Sequence, residues 1–194
     1  MAVRSGATPL GAPLPELTLS VATGGEVNLA DLRPDSGILV VVFACNHCPY
    51  VRHVERLLGE VHDRYADRGV EFVAIMSNDV TTYPDDDVTG MREQVERAGW
   101  DFPYVLDLDQ NAALTFGAVC TPDFFVYGSD GTLVYRGAFD GSSPKNNEAL
   151  TGAALSDAID KALAGEPVPL PHRPAMGCGI KWLPGNEPEA VSFL

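Results

Sequence analysis

The stretch Ile38-Leu39-Val40-Val41-Val42-Phe43-Ala44-Cys45-Asn46-His47-Cys48-Pro49-Tyr50-Val51 decides the fold class. Its first part, up to Phe43, is a β-branched apolar run of the kind that is buried on both faces of a parallel sheet. From Pro49 onward, apolar residues recur at steps of three and four, which predicts an amphipathic helix that ends at Gly69. A buried strand that leads directly into a helix predicts a βαβ unit, and Cys48 stands at the junction.

The segments on either side of this junction predict the rest of an α/β domain. Upstream, residues 14–32 alternate in polarity around Gly24-Gly25 and predict an N-terminal β-hairpin. The downstream elements predicted from the same patterns are a strand at 70–76, a helix at 88–98, a strand at 104–106, a helix at 111–116, a hairpin of 123–127 with 132–135, and a helix at 150–163. Together they indicate a central mixed sheet flanked by helices.

The length of 194 residues fits one domain with additions. We expect an N-terminal arm at 1–13, the domain at 14–165, and a C-terminal extension at 166–194. Prolines recur through that extension and forbid ordinary helix, so we expect a Pro-rich tail that lies extended over the domain.

The composition excludes some classes of partner. A formal net charge of -14 repels phosphate backbones and anionic lipid headgroups, so we expect neither nucleic acid nor a membrane as a partner. Four cysteines are too few and too unevenly spaced for a secreted disulfide framework, and residues 1–15 lack the apolar region of a secretory signal. These features predict a soluble, cytoplasmic protein; they do not indicate an oligomeric state.

The chemistry is expected at Cys48. Pro49 is favoured at the first position of a helix, which places Cys48 at the N-cap, where unpaired N–H groups and the helix dipole stabilise a thiolate. His47 adds a potential cation beside it, so we predict a lowered pKa and a reactive thiol. Cys45 lies three residues earlier, within reach through a turn, and Cys45-Asn46-His47-Cys48 is therefore a candidate dithiol.

Several further runs of the chain belong with this motif in one family pattern. They are Ser77-Asn78-Asp79, Tyr83-Pro84-Asp85-Asp86, Gly117-Ala118-Val119-Cys120-Thr121-Pro122-Asp123-Phe124-Phe125, Leu133-Val134-Tyr135-Arg136-Gly137 and Gly177-Cys178-Gly179-Ile180-Lys181-Trp182. With the stretch around Cys48, they resemble the thioredoxin superfamily, and more closely the peroxiredoxin-like, AhpC/TSA-related (redoxin) thioredoxin-like proteins. The resemblance implies a thioredoxin-like fold over most of the chain.

The resemblance also assigns roles to individual residues. Counted from Phe43, Cys48 takes the place of the attacking cysteine, while Val51 takes that of the usual resolving cysteine; the dithiol is thus shifted upstream to Cys45. Pro122, preceded by Thr121, matches the cis-proline that faces the active cysteines.

Peroxiredoxins carry a Pro-x-x-x-Thr-x-x-Cys pattern before the peroxidatic cysteine. Here those positions hold Val41 and Cys45, so the peroxidase triad is not intact.

The roles of the two other cysteines are less clearly indicated by the sequence. Cys120 is either a further resolving or sensing thiol or a buried apolar cysteine, and Cys178 is expected to be structural or peripheral. The acidic residues Asp79 and 85–87 are expected to form a solvated loop.

Three functions remain open at this stage. The first is thiol–disulfide oxidoreduction with Cys48 as nucleophile and Cys45 as resolving thiol, acting on a disulfide or oxidised thiol with an external thiol reductant and no cofactor. The second is an antioxidant thiol peroxidase in which Cys45, Cys120 or Cys178 captures a sulfenic acid. The third is a redox sensor that binds Cu(I) or Zn through Cys45, His47, Cys48 and Cys120.

Overall fold

The computed structural model describes residues 2–6, 9–33 and 37–188. The strands are β1 (Ala2–Arg4), β2 (Thr18–Val21), β3 (Glu26–Asn28), β4 (Ile38–Phe43), β5 (Val70–Met76), β6 (Tyr104–Leu106), β7 (Cys120–Thr121), β8 (Asp123–Tyr127), β9 (Leu133–Gly137) and β10 (Met176–Gly179). The helices are α1 (Leu29–Leu32), α2 (Pro49–Tyr65), α3 (Val88–Ala98), α4 (Asn111–Phe116) and α5 (Ala153–Leu163), with short 3-10 turns at Ala66–Arg68 and Pro84–Asp86.

The main sheet contains β4 near its centre, as the apolar run predicts. Its strand order is β3-β2-β6-β5-β4-β8-β9, with β4, β5 and β6 parallel to one another and the other pairs antiparallel. Every residue of β4 is buried. The predicted mixed sheet flanked by helices is therefore confirmed.

Successive side chains of β4 point to opposite faces of the sheet and enter two separate cores. Val40 and Val42 pack in the cluster that contains residues of α2, α3 and α5. Leu39, Val41 and Phe43 pack in the second cluster with residues of α1 and α4. The result is a three-layer domain in which the carboxyl end of β4 delivers the cysteine motif to the start of α2.

The N-terminal hairpin forms, but it is shorter than the predicted 14–32 segment. β2 and β3 pair through Thr18 opposite Asn28, and Leu29–Leu32 is a helix instead of a continuation of the second strand. The cause is a helix cap, because the Asn28 side chain accepts a hydrogen bond from the Ala30 N–H at 2.9 Å.

The C-terminal extension differs from the extended tail predicted for it. β10 forms a second sheet of order β1-β10-β7, in which it pairs antiparallel with a strand from the N-terminal arm and with the strand that precedes Pro122. Beyond β10, the Lys181 N–H donates to Asn78 Oδ1 and the Lys181 carbonyl accepts from the Asp79 N–H, each at 2.8 Å. The proline pattern excluded helix correctly but carries no information about this strand pairing.

Among the residues that the structure describes, no helix combines the length and the apolar character needed to cross a bilayer.

Candidate active site

Cys48 is the N-cap residue of α2, with Pro49 in the first helical position, as the sequence predicts. Its side chain is fully buried, and its Sγ lies 3.2 Å from the carbonyl oxygen of Thr121. The Thr121-Pro122 peptide bond is cis, which confirms the expectation drawn from the family resemblance. The Cys45–Cys48 motif and the loop that contains Thr121 and Pro122, called the proline loop below, are more than 70 residues apart in the chain. They thus meet at the Cys48 sulfur atom.

Cys45 lies on the same side of the loop, at the end of β4. Its Sγ is 3.4 Å from Thr121 Oγ1, so Thr121 contacts one cysteine through its hydroxyl and the other through its carbonyl oxygen. Cys45 and Cys48 pack in the same buried cluster, and no disulfide joins them. The two cysteines of the predicted dithiol therefore meet at Thr121.

The surroundings of Cys48 favour its thiolate. Hydrogen bonds from Cys178 and then from Cys45 lower the pKa of Cys48 well below the usual range of a thiol, with a smaller contribution from the backbone N–H of Val51 in the first turn of α2. Burial opposes ionisation but is outweighed. The direction agrees with the prediction, whereas the leading cause is the neighbouring thiols rather than His47.

Cys178, which the sequence placed at the periphery, is one of these neighbours. It lies in β10 directly opposite Thr121 of β7, and its partly buried side chain packs against the core cluster that contains Cys45 and Cys48. The signal that could have found it is the run Gly177-Cys178-Gly179, in which two residues without side chains flank a thiol.

His47 is held by a carboxylate that the sequence analysis assigned to a solvated loop. Asp86 is fully buried, and its Oδ2 accepts from the His47 ring Nδ1 at 2.6 Å and from Asn78 Nδ2 at 2.7 Å. Burial of Asp86 resists ionisation, yet the hydrogen bonds from His47 and Asn78 prevail and lower its pKa. Conversely, the hydrogen bond to Asp86 raises the pKa of His47.

Replacing Asp86 with asparagine is expected to lower the pKa of His47, because it removes the carboxylate that stabilises the imidazolium. NMR titration of the His47 ring measures this pKa directly, with His53 as the internal control. We also expect a loss of about 1–3 kcal/mol in the free energy of unfolding, since His47 and the buried Asn78 lose a charged acceptor. An unchanged His47 titration would contradict the assignment.

Cys120 is placed away from the hydrogen-bonded thiols. The side chains of successive residues in β7 point to opposite sides, and Cys120 packs with Val3, Val119 and Ala175 in a small apolar cluster of its own. Burial raises the pKa of its thiol well above the usual value. These surroundings match the alternative of a buried apolar cysteine.

A possible metal set among the described residues consists of Cys45, His47 and Asp86, whose ligand atoms lie within 4.8 Å of one another. It shares Cys45 and His47 with the set expected for Cu(I) or Zn but brings in Asp86, whereas Cys120 packs elsewhere. His47 and Asp86 are already paired with each other, and the hydrogen bond to Cys48 together with burial raises the pKa of Cys45 well above the usual value. The set offers three ligand atoms, one fewer than a structural zinc site uses, and two of its members already bind each other, so the donor set does not favour a metal.

A buried ion pair between Asp123 and Arg136 lies directly after the proline loop. Asp123 follows Pro122 and accepts from the Arg136 guanidinium at 2.7 Å, with both side chains inside the protein. The same guanidinium donates to the Gly117 carbonyl oxygen at 2.8 Å and lies over the Phe125 ring. Burial raises the pKa of Asp123 to about 6, while Arg136 opposes that rise.

An open cavity of about 250 Å³ borders Pro122 and Met176 on the outer side of the site. Tyr50 and Phe139 supply aromatic surface, and Arg4 and Arg173 supply positive charge.

The AhpC/TSA family model matches residues 10–136 of the chain. None of the curated proteins matches its sequence significantly. The chain resembles an uncharacterized conserved protein from Geobacillus kaustophilus, with 41% identity, a TM-score of 0.92, and coverage of 95% of this chain and 98% of that one. A hypothetical protein from Sinorhizobium meliloti is 38% identical, with a TM-score of 0.91 and coverage of 94% and 100%.

More distant solved structures share the fold. A secreted Mycobacterium tuberculosis disulfide oxidoreductase homologous to E. coli DsbE is 21% identical, with a TM-score of 0.58 over 75% of this chain and 95% of that one. A thiol:disulfide interchange protein of the thioredoxin family from Chlorobium tepidum is 18% identical, with a TM-score of 0.61 and coverage of 81% and 99%. At this level of identity, the likeness establishes a thioredoxin-like fold.

Proposed function

The chain belongs to the AhpC/TSA family, and on that premise we propose that it is a thiol–disulfide oxidoreductase with Cys48 as nucleophile and Cys45 as resolving thiol. The observation that carries the proposal is the meeting of Cys45, Cys48 and Thr121 at the start of α2. The neighbouring thiols and the Val51 N–H of the first helical turn lower the pKa of Cys48 there and favour its thiolate. The thiolate is the form that attacks a disulfide.

The reaction consists of two exchanges. The Cys48 thiolate attacks one sulfur of a substrate disulfide, which forms a mixed disulfide and releases the first substrate thiolate. Cys45 then loses its proton and attacks Cys48 Sγ, which releases the second substrate thiolate and leaves a Cys45–Cys48 disulfide. An external thiol reductant restores the dithiol, so the electrons that reduce the substrate come from that reductant.

Several features support this function over its alternatives. The Chlorobium tepidum protein with the same fold is described as acting in thiol:disulfide interchange. Reduction of hydroperoxides is less well supported, because Cys45 occupies the position of the peroxidatic threonine. Stopped-flow oxidation by hydrogen peroxide separates disulfide exchange from peroxidase activity, since a peroxidase would react much faster than a free thiol.

A reducing location such as the cytoplasm would supply the external thiol and is part of the proposal.

The pH dependence of alkylation tests the state of Cys48. We expect the rate constant for iodoacetamide at Cys48, mapped by mass spectrometry, to stay nearly level from about pH 8 down to about pH 5. An ordinary thiol would lose about tenfold per pH unit over that range. Burial slows the absolute rate, so the slope is the quantity to compare.

Two matched variants show whether the neighbouring thiols cause the lowered pKa of Cys48. Cys178→Ala removes a hydrogen-bond donor to Cys48 and should shift the profile to higher pH, whereas Cys120→Ala should leave it in place. A wild-type profile with the slope of a free thiol would refute the assignment of Cys48 as the activated nucleophile.

A further inference from the structure

The position of Cys178 relative to the site is set by strand pairing. In the antiparallel register of β10 with β7, Cys178 is the residue directly opposite Thr121. Thr121 is also the residue whose carbonyl oxygen lies 3.2 Å from Cys48 Sγ. Cys178 also packs against the core cluster that contains Cys48, so strand pairing and packing both place a thiol from the C-terminal extension beside the proposed nucleophile.

Glycine on each side of Cys178 lets its strand approach the proline loop closely. A Cβ atom added to Gly177 would lie 1.8 Å from the Thr121 carbonyl oxygen, a contact that only a shift of one of the two backbones could relieve. A Cβ at Gly179 would lie 3.2 Å from a methyl group of Val3, which is a much milder contact. The approach of β10 to Thr121 therefore depends on residue 177 in particular.

The charges around Cys45 and Cys178 differ in sign. While Cys48 is a thiolate, its hydrogen bonds raise the pKa of both neighbours. Once Cys48 forms a mixed disulfide, its negative charge is gone. The charges near Cys45 and near Cys178 then determine which of the two thiols ionises more readily. The ammonium of Lys181 favours the Cys178 thiolate, whereas the carboxylate of Asp86 disfavours that of Cys45.

We propose that Cys178 is a second resolving thiol for Cys48, carried to it by the C-terminal strand β10. The proposal rests on the proposed function and deepens it. The Cys178 thiolate attacks Cys48 Sγ of the mixed disulfide, a Cys48–Cys178 bond forms, the bond to the substrate sulfur breaks, and that sulfur leaves as a thiolate. The substrate disulfide is the oxidant, and the external thiol later reduces the new bond.

The packing of β10 keeps Cys178 near the start of α2. The strand packs on α2 and pairs with the strand that precedes Pro122, and Cys48 at the start of α2 is fully buried. Cys178 is therefore held on the side of α2 where the mixed disulfide at Cys48 would form.

Equimolar 4,4′-dithiodipyridine tests the proposal in a single turnover. Attack by Cys48 releases the first thiopyridone of the reagent, and resolution releases the second, so the absorbance shows whether the mixed disulfide is resolved or trapped. We expect Cys45→Ser to release both at a rate independent of protein concentration, and Cys45→Ser/Cys178→Ser to stop after the first. Peptide mapping of the Cys45→Ser product should then identify a Cys48–Cys178 bond.

Other outcomes would overturn the proposal in recognisable ways. If Cys45→Ser stops after the first thiopyridone, Cys178 does not resolve; if the double variant releases both, Cys120 or a second molecule does. A Cys48→Ser variant that reacts as fast as wild type would instead refute the proposed function itself.

A pair of glycine variants provides a test that leaves every remaining thiol in place. On the Cys45→Ser background, Gly177→Ala should slow the second release by roughly 10- to 100-fold, because it moves Cys178 away from Cys48. Gly179→Ala in the same strand is the matched control and should slow it far less. Equal rates in the two variants would show that the approach of β10 to Thr121 plays no part in resolution.

Discussion

Replacement of Cys48 by serine is expected to lower the reduction of a disulfide substrate by roughly 10³-fold or more. A serine hydroxyl is not ionised near neutral pH and cannot form a mixed disulfide, and the remaining thiols lack the hydrogen bonds that lower the pKa of Cys48. Turnover of a fluorescently labelled glutathione disulfide, with dithiothreitol as the reductant, measures the loss.

The control for this experiment is another buried cysteine. Cys120→Ala removes a thiol that packs with Val3, Val119 and Ala175, so its turnover should remain close to that of wild type if the variant is folded. Thermal melts of both variants show whether folding is intact. Undiminished turnover by Cys48→Ser, or a comparable loss in a folded Cys120→Ala protein, would contradict the roles assigned to these two cysteines.

Replacement of Arg136 by methionine is expected to destabilise the protein by about 3–5 kcal/mol at neutral pH, because Asp123 loses the cation that offsets its burial and must take up a proton at a pH well above its pKa in the unfolded chain. Methionine retains apolar contact with Phe125, so most of the loss comes from the charge. Urea denaturation measures the change in the free energy of unfolding.

The pH dependence of this loss distinguishes charge from packing. The pKa of Asp123 is already raised to about 6 by burial, and removal of Arg136 raises it further. A group whose pKa is raised on folding stabilises the protein below its unfolded pKa and loses that contribution as the pH rises through the folded value. The gap between variant and wild type should therefore narrow as the pH falls from about 8 to about 6, and it should stay constant below that, where Asp123 is protonated in both folded proteins. A gap that is constant with pH would assign the loss to packing.

The sequence predicts the parts of this molecule that depend on local pattern. The apolar run of β4, Pro49 at the start of α2, and the three- and four-residue steps that follow are sufficient to place Cys48 at a helix N-terminus. The cis bond before Pro122 is predicted by the family resemblance alone, since nothing in the local sequence specifies it. Most other helices and strands lie within a few residues of their predicted bounds.

The residues that the sequence analysis misjudged depend on contacts between distant segments. Cys178 approaches Cys48 only because β10 pairs with β7 in one particular register, and no periodicity in a proline-rich extension encodes that partner. Asp86 stands in an acidic run that is typical of solvated loops, yet the turn at Pro84–Asp86 directs it inward to His47 and Asn78. The geometry of both contacts is decided by tertiary structure alone.

The pairing of Ala2 with Cys178 has a consequence for how the protein is made. Contacts between residues so far apart in sequence form late, and synthesis proceeds from the N-terminus, so β1 waits for β10. A nascent chain that has emerged only as far as α5 already contains Cys45, Cys48 and the proline loop but not the strand that later packs over them. Until β10 has been synthesised, Cys45 and Cys48 lack the strand that packs beside them in the finished protein. The ribosome-bound chain should therefore form mixed disulfides more readily than the finished protein.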